Sequence, residues 1–180
     1  MPNPTSPESS RGFPQGFPQA FGNYILLAPF TKGGMGEIYL AKSFGGIGID
    51  RLCVVKKIRR DLQEDAQNVS RFLDEARLAI NLTHASICQV FDVGCIEKEY
   101  YIAMEYVPGN NLRRIRDRLK YKGIHFSPEL AVHMICQVLD GLSYAHRAKD
   151  SATGRLLHLV HRDISPQNLM LNFEGEVKII

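Results

Sequence analysis

The stretch His161-Arg162-Asp163-Ile164-Ser165-Pro166-Gln167-Asn168 decides how this sequence is interpreted. It places a carboxylate five residues before a carboxamide, between a predicted amphipathic helix and a predicted short hairpin. An acid that can deprotonate a hydroxyl and a neutral oxygen that can bind Mg²⁺ are the pair that phosphoryl transfer requires. The stretch therefore predicts a loop that carries this chemistry.

Composition narrows the class of protein. With 44% hydrophobic and 23% charged residues among 180, the chain is typical of a globular domain with its own core. A net charge of +3 gives no indication of a nucleic-acid partner. No apolar run approaches the roughly 18 residues that a membrane-spanning helix needs. The four cysteines form no C-x-x-C pair, which favours a reducing, cytoplasmic setting.

The pattern of residues predicts an α+β chain in three parts. Residues 1–22 are rich in Pro, Gly, Ser and Gln and repeat Gly-Phe-Pro-Gln, so we expect a disordered tail. Residues 23–107 show five strands, near 24–27, 37–41, 51–58, 87–94 and 100–106, with one helix at 68–82. Pro108-Gly109 then breaks the chain. Residues 108–180 are mainly helical, with a helix at 128–146 that Ser127 caps and a hairpin at 169–180.

Three further features carry candidate chemistry. The turn Thr31-Lys32-Gly33-Gly34-Met35-Gly36 can lay backbone N–H groups over phosphates, although such turns are also common in plain hairpins. Lys56 and Lys57 are adjacent on a predicted strand and must face opposite ways, and the period alone does not choose between them. Glu75 borders the apolar stripe of the predicted helix, where an unpaired carboxylate is costly, so we expect it to pair with a cation.

Taken together and in this order, these segments resemble the eukaryotic-type (Hanks-type) protein kinases. The loop at 161–168 is similar to the H-R-D-x-x-x-x-N catalytic loop, the glycine turn to G-x-G-x-x-G-x-V, and Val54-Val55-Lys56 to the V-A-I-K strand. Thr31 stands where the first glycine is expected, and Ser165 replaces a lysine that Ser/Thr kinases usually place there. Pro166 favours the Ser/Thr branch, and the glycine turn with Ser165 is most similar to bacterial members.

The resemblance implies a small lobe with a five-stranded antiparallel sheet and one helix, and the start of a helical large lobe. It implies ATP and Mg²⁺ as cofactors and a protein Ser or Thr hydroxyl as acceptor. Asp163 would be the catalytic base, Asn168 a Mg²⁺ ligand, and Lys56 would pair with Glu75 to align phosphates. Lys56 is chosen over Lys57, which would then lie on the other face of the sheet, in solvent. The residues implied to contact ATP are Gly33, Gly34, Gly36, Ile38, Val54, Lys56, Met104, Glu105, Val107, Asn111 and Met170.

The family also has an Asp-Phe-Gly segment directly after the strand Lys178-Ile179-Ile180, and these 180 residues do not include it. We therefore expect the chain by itself to be a fragment of an active kinase that binds nucleotide weakly and transfers no phosphate. The alternative is a pseudokinase or nucleotide-binding module that acts through binding alone.

Overall fold

The computed structural model describes residues 14–32, 36–44, 50–150 and 153–180, with the backbone alone at Thr31, Lys32 and Glu75. The first thirteen residues of the expected tail therefore lie outside the described residues. So do Gly33 and Gly34 of the glycine turn, and residues 45–49.

An antiparallel sheet of six strands forms the first part of the molecule. The strands are β1 (Gln19–Phe21), β2 (Tyr24–Lys32), β3 (Gly36–Phe44), β4 (Asp50–Ile58), β5 (Val90–Ile96) and β6 (Glu99–Glu105). Their order in the sheet is β1-β2-β3-β4-β6-β5, with each strand antiparallel to its neighbour. The five predicted strands are all present, and the sixth, β1, was not predicted.

Strand β1 corrects the prediction of a disordered tail for its last residues, because Gln19–Phe21 form a strand. Gln19 pairs with Leu26 in the sheet, and Phe21 is 6% exposed with its ring edge-on to Tyr101 at 5.4 Å between centroids. The low-complexity composition of the segment hid its three phenylalanines. An aromatic ring that finds an apolar sheet face gains enough burial to offset the ordering of a short strand.

Alternate residues of each strand point to opposite faces of the sheet, and both faces carry buried apolar side chains. Cys53 and Val55 of β4 point to one face, the back face, and pack with Phe21 and Tyr101. Ile58 points to the other face, the helix face. There it packs against α1 (Ala66–Ala79), which buries Phe72 and Ala76. Asp65 caps the start of α1, because its carboxylate accepts a hydrogen bond from Gln67 N at 2.8 Å. It ends at Ala79, three residues before the predicted end at 82.

The second part of the molecule consists of two helices on a small antiparallel sheet. Ser127 caps α3 by accepting a hydrogen bond from Leu130 N, with Pro128 in the first turn, as predicted. The predicted hairpin is β8 and β9, and Gly175 in its turn has a φ of +88°. The elements are β7 (Gly109–Asn111), α2 (Leu112–Tyr121), α3 (Pro128–His146), β8 (Leu169–Asn172) and β9 (Val177–Ile179).

Backbone hydrogen bonds join the two parts at a second place besides the connection after β6. Cys88 N donates to Ile179 O at 2.8 Å, and Ile179 N donates to Ser86 O at 2.9 Å. Strand β9 therefore pairs with the segment that leads into β5.

Helix α3 has two apolar sides. Met134 and Val138 are buried against β8 and β9. Val132, Ile135 and Leu139, which we call the outer α3 face, are 62%, 49% and 58% exposed. Within the described residues no helix is long and apolar enough to cross a bilayer.

We expect the purified 180-residue chain to self-associate through the outer α3 face. Fully burying a large aliphatic side chain contributes about 1.5–3 kcal/mol, and contiguous exposed apolar side chains promote association. The triple change Val132→Gln, Ile135→Gln and Leu139→Gln should shift the chain toward monomer in sedimentation velocity over a concentration series. The matched control is Phe173→Gln, which removes a side chain that is 83% exposed in the β8–β9 turn. A wild-type chain that is monomeric throughout the series would contradict this expectation.

Candidate active site

A hydrogen-bonded pair lies at the centre of the loop between α3 and β8. Asn168 Nδ2 donates to Asp163 Oδ2 at 2.7 Å and to Asp163 O at 3.0 Å. The backbone of Asn168 is fixed as well, because its N–H donates to Ser165 O and its carbonyl accepts from Ile180 N. With its amide nitrogen committed to Asp163, Asn168 presents its amide oxygen as the group able to bind a cation.

His161 holds the start of this loop. Its Nδ1 accepts from Asp163 N at 3.3 Å, and its Nε2 lies 3.2 Å from Ile180 O. Since Nδ1 is the acceptor, the pattern assigns the proton of the neutral ring to Nε2, which then donates to Ile180 O. His161 thus has a structural role, because its ring joins the loop to the residue after β9. Between the two, Arg162 adopts a φ of +65°, a left-handed conformation that the surrounding hydrogen bonds hold in place.

Helix α2 holds the other end of the loop, through a contact that sequence reasoning missed. Arg113 N donates to Pro166 O at 2.9 Å, and Arg113 Nη1 donates to Gln167 Oε1 at 3.2 Å. Ser165 Oγ is buried, and within the described residues it has no hydrogen-bond partner. The excess of arginine at 113–118 was the available signal, but it gave no indication of which residue reaches the loop.

Lys56 lies on the helix face of the sheet. It pairs in register with Ile38 and Ile102, and its Nζ is 5.7 Å from the centre of the Phe72 ring on α1. The side chain of Glu75, also on α1, lies outside what the structure describes. The Lys56–Glu75 ion pair therefore stays a prediction.

Lys57 lies on the back face, opposite Lys56, but the expectation that it lies in solvent is wrong. Its side chain is 12% exposed and forms an ion pair with Glu99. Its Nζ also lies 4.6 Å from the centre of the Phe21 ring. Strand β1, absent from the prediction, is what covers this lysine.

Four of the residues implied to surround a nucleotide share the helix face. Residues directly opposite each other in an antiparallel pair point to the same side, as do alternate residues of one strand. Ile38 pairs with Lys56, and Val54 pairs with Met104, so Ile38, Val54, Lys56 and Met104 lie together. At the end of the glycine turn, a Cβ on Gly36 would lie 2.8 Å from Lys57 O, so the close approach of β3 to β4 requires glycine.

The end of β6 and the residues after it are fixed by contacts that limit their predicted role in binding ATP. Glu105 N donates to Gln89 O at 2.8 Å, so this N–H is already used. The Glu105 carbonyl accepts a weak hydrogen bond from the Cys88 thiol, and it is the backbone group of Glu105 that remains to bind the adenine of ATP. The Glu105 carboxylate pairs with Lys178 Nζ at 3.1 Å, a contact that the sequence did not reveal. Val107 is buried.

Asn111 and Met170 face each other across β7 and β8. Asn111 Oδ1 caps α2 by accepting from Arg114 N at 2.9 Å. One lone pair of the Asn111 oxygen thus serves the helix cap, and its amide nitrogen is the donor for the predicted contact with ATP.

The Lys57–Glu99 ion pair should make the free energy of unfolding depend on pH. Although burial alone raises the pKa of Glu99, its hydrogen bonds and charge contacts with Lys57 and Arg60 lower the pKa below its usual value. A lowered pKa in the folded state stabilises the fold above the unfolded-state pKa, near 4.3, and the contribution is lost as pH falls through the folded value.

We expect Glu99→Gln to lower the free energy of unfolding at pH 7 by up to about 1 kcal/mol, as for a partly solvated pair. The difference from wild type should shrink between about pH 5 and pH 3, measured by denaturant unfolding. Glu174→Gln, which removes the same charge in the exposed β8–β9 turn, is the control. A difference that stays constant with pH would rule out the linkage.

Comparison with known proteins identifies the family. The protein kinase domain family matches residues 26–180. The tyrosine-protein kinase MasK of Myxococcus xanthus is 39% identical over 163 residues, and the serine/threonine-protein kinase PrkC of Bacillus subtilis is 32% identical over 159 residues. These matches cover 90% and 88% of the chain, but only 25% and 22% of the relatives.

Solved structures agree on the fold. The PknI kinase domain of Mycobacterium tuberculosis superposes with a TM-score of 0.70 at 24% identity, covering 90% of this chain and 59% of that one. The predicted kinase-like α+β fold, with an antiparallel sheet in its small lobe, is confirmed. The chain belongs to the protein kinase domain family, and the relatives that it resembles are bacterial kinases.

Proposed function

We propose that this domain transfers the γ-phosphate of ATP to a serine or threonine hydroxyl of a protein. The observation that carries the proposal is the Asp163–Asn168 hydrogen bond in the loop, combined with Lys56 on the helix face of the sheet. Family membership supports ATP as the phosphate donor. We also place the domain in the cytoplasm, where ATP is available and where free cysteines such as the buried Cys53 and Cys88 stay reduced.

The residues divide the work between binding and chemistry. The adenine would pack between apolar side chains, those of Ile38, Val54, Met104 and Met170. Its edge would contact the Glu105 carbonyl and the Val107 backbone. Gly33, Gly34 and Gly36 would approach the phosphates, and Lys56, oriented by Glu75, would pair with the α- and β-phosphates. Asn111 is a proposed contact for the ribose through its amide nitrogen.

Asp163 would act as the base. The substrate hydroxyl oxygen forms a bond to the γ-phosphorus, the bond from that phosphorus to the bridging oxygen of ADP breaks, and the hydroxyl proton passes to the Asp163 carboxylate. Mg²⁺, when bound, neutralises charge on the phosphates. The donor set fits such an ion, because Asn168 offers a neutral oxygen and Mg²⁺ commonly completes its shell with water and phosphate.

Within the described residues, no three His, Cys, Asp or Glu side chains form a metal cluster.

Measuring nucleotide affinity distinguishes the proposed role of Lys56 from that of Lys57. We expect Lys56→Met to weaken binding of a fluorescent ATP analogue to the 180-residue chain by about tenfold, as loss of one charge-assisted phosphate contact requires. Lys57→Met, the matched neighbour on the back face, should leave the affinity unchanged and lower the melting temperature instead. Equal effects of the two changes on affinity would argue against the assignment of Lys56.

Phosphotransfer tests the proposal itself. In the protein that contains this domain, we expect Asp163→Asn to slow phosphate transfer from ATP to a generic protein substrate by about 10²–10⁴-fold, the usual contribution of a positioned base. Nucleotide affinity should be retained, because Asp163 is not among the proposed adenine or phosphate contacts. Nucleotide binding with no Asp163-dependent transfer would favour the pseudokinase alternative.

The acceptor is a separate outcome of the same assay. One relative at 39% identity is named a tyrosine-protein kinase, whereas others are named serine/threonine-protein kinases. Mass spectrometry of the phosphorylated substrate distinguishes the two. Phosphoserine or phosphothreonine is expected, and phosphotyrosine alone would reassign the acceptor.

A further inference from the structure

Positive charge is concentrated on helix α2 and the residue after it. Residues 112–122 contain six basic residues and one acidic residue, a net charge of +5, whereas the whole chain carries +3. The rest of the protein is therefore slightly acidic. All six basic residues of this segment are exposed: Arg113, Arg114, Arg116, Arg118, Lys120 and Lys122.

This segment adjoins the candidate catalytic residues. Arg113 binds Pro166 and Gln167, and Gln167 directly precedes Asn168, whose side chain is bonded to Asp163. The positive charge therefore begins at the loop that would receive the acceptor hydroxyl.

Helical periodicity divides the basic residues of α2 into two sets. Arg116 and Lys120 lie three and seven residues after Arg113 and so continue along its side of the helix. Arg114 and Arg118 are turned by about 100° and about 140° from Arg113, to the other side of the helix. We call Arg113, Arg116 and Lys120 the loop-side stripe.

The helix dipole favours Arg118 and Lys120 in the last turn of α2, but it does not explain Arg113 and Arg114 in the first. Arg113 and Arg114 occupy the first turn, where the helix dipole disfavours cations, and the first turn has no acidic residue. Asp117 pairs with Arg116, but within the described residues no acidic side chain pairs with Arg114, Arg118, Lys120 or Lys122. Cations at the start of a helix that no acidic side chain neutralises are typical of a surface that binds a ligand.

We propose that the loop-side stripe binds an acidic segment of the protein substrate, next to the residue that is phosphorylated. The proposal rests on the proposed function and deepens it by naming the substrate class. Cationic side chains adjoining the loop would attract glutamate, aspartate or phosphorylated residues and exclude basic ones.

Two other anionic partners fit the structure less well. An interfacial membrane helix needs an exposed apolar side, but in α2 Leu112 packs against the core of the second part, and Ile115 and Leu119 are half-buried. Nucleic acid would be expected to contact basic residues well away from the loop, and the remainder of the chain is acidic on balance.

Peptide binding to the 180-residue chain tests the proposal without requiring phosphotransfer. The probes are fluorescein-labelled peptides with one serine flanked by glutamates, by glutamines or by lysines, and the readout is fluorescence anisotropy at several salt concentrations. We expect the glutamate peptide to bind about tenfold more tightly than the glutamine peptide, with an advantage that declines with salt.

Variants of equal charge locate the binding surface. Arg113→Gln with Lys120→Gln should weaken binding of the glutamate peptide by about three- to tenfold, while Arg114→Gln with Arg118→Gln should change it less than twofold. If loss of Arg113 disturbs the loop, Arg116→Gln with Lys120→Gln keeps that contact and should still weaken binding. A photoreactive residue in place of the serine should crosslink within residues 161–168.

Several results would overturn the proposal. Equal binding of glutamate and glutamine peptides would do so, as would equal loss in the two double variants or crosslinks confined to other segments. Tighter binding to anionic vesicles or to RNA than to the glutamate peptide, lost in both double variants, would assign the charge to those partners. If the peptides fail to discriminate while Asp163-dependent transfer is intact, this inference falls and the proposed function stands. If the glutamate peptide binds through the loop-side stripe but no transfer occurs, the surface binds acidic segments and the proposed function falls.

Discussion

The arrangement of the whole molecule depends on hydrogen bonds made by one short segment, β9 and the residue after it. Ile179 exchanges backbone hydrogen bonds with Ser86 and Cys88 of the first part. Ile180 binds Asn168 through its N–H and His161 through its carbonyl. Lys178 pairs with Glu105 and donates to Ala85 O. The connection after β6, the sheet and the loop at 161–168 therefore share one support, and moving it would displace all three.

This support explains how an exposed loop can hold a defined geometry. Residues 161–164 are exposed, and Arg162 has a left-handed backbone that costs free energy, so the local sequence alone does not favour the observed conformation. His161 is tied to β9 on one side, and Pro166 and Gln167 are tied to α2 on the other. Asp163 and Asn168 are positioned between these two anchors, which is the arrangement that a preorganised site requires.

Sequence reasoning succeeded where the information is local or periodic. Alternation along β4 placed Lys56 and Lys57 on opposite faces, and the Ser127-Pro128 signal located the start of α3. It failed where side chains meet across long separations. Arg113 reaches Gln167 from 54 residues away, and Lys178 reaches Ala85 O from 93. It also failed at β1, because composition averaged over a tail says nothing about where a single phenylalanine such as Phe21 can be buried.

The contact between α2 and the loop has an electrostatic consequence as well as a structural one. The family usually has a lysine where this loop has Ser165, whose buried hydroxyl supplies no charge. Arg113, held against the same loop by its backbone and its side chain, brings a cation to the edge of the site from a different element. The backbone bond from Arg113 N to Pro166 O does not require a basic side chain, whereas the bond from Nη1 to Gln167 Oε1 does require a side-chain donor. Because a guanidinium carries five N–H donors, Arg113 can hold the loop with one of them and meet an anionic partner with others.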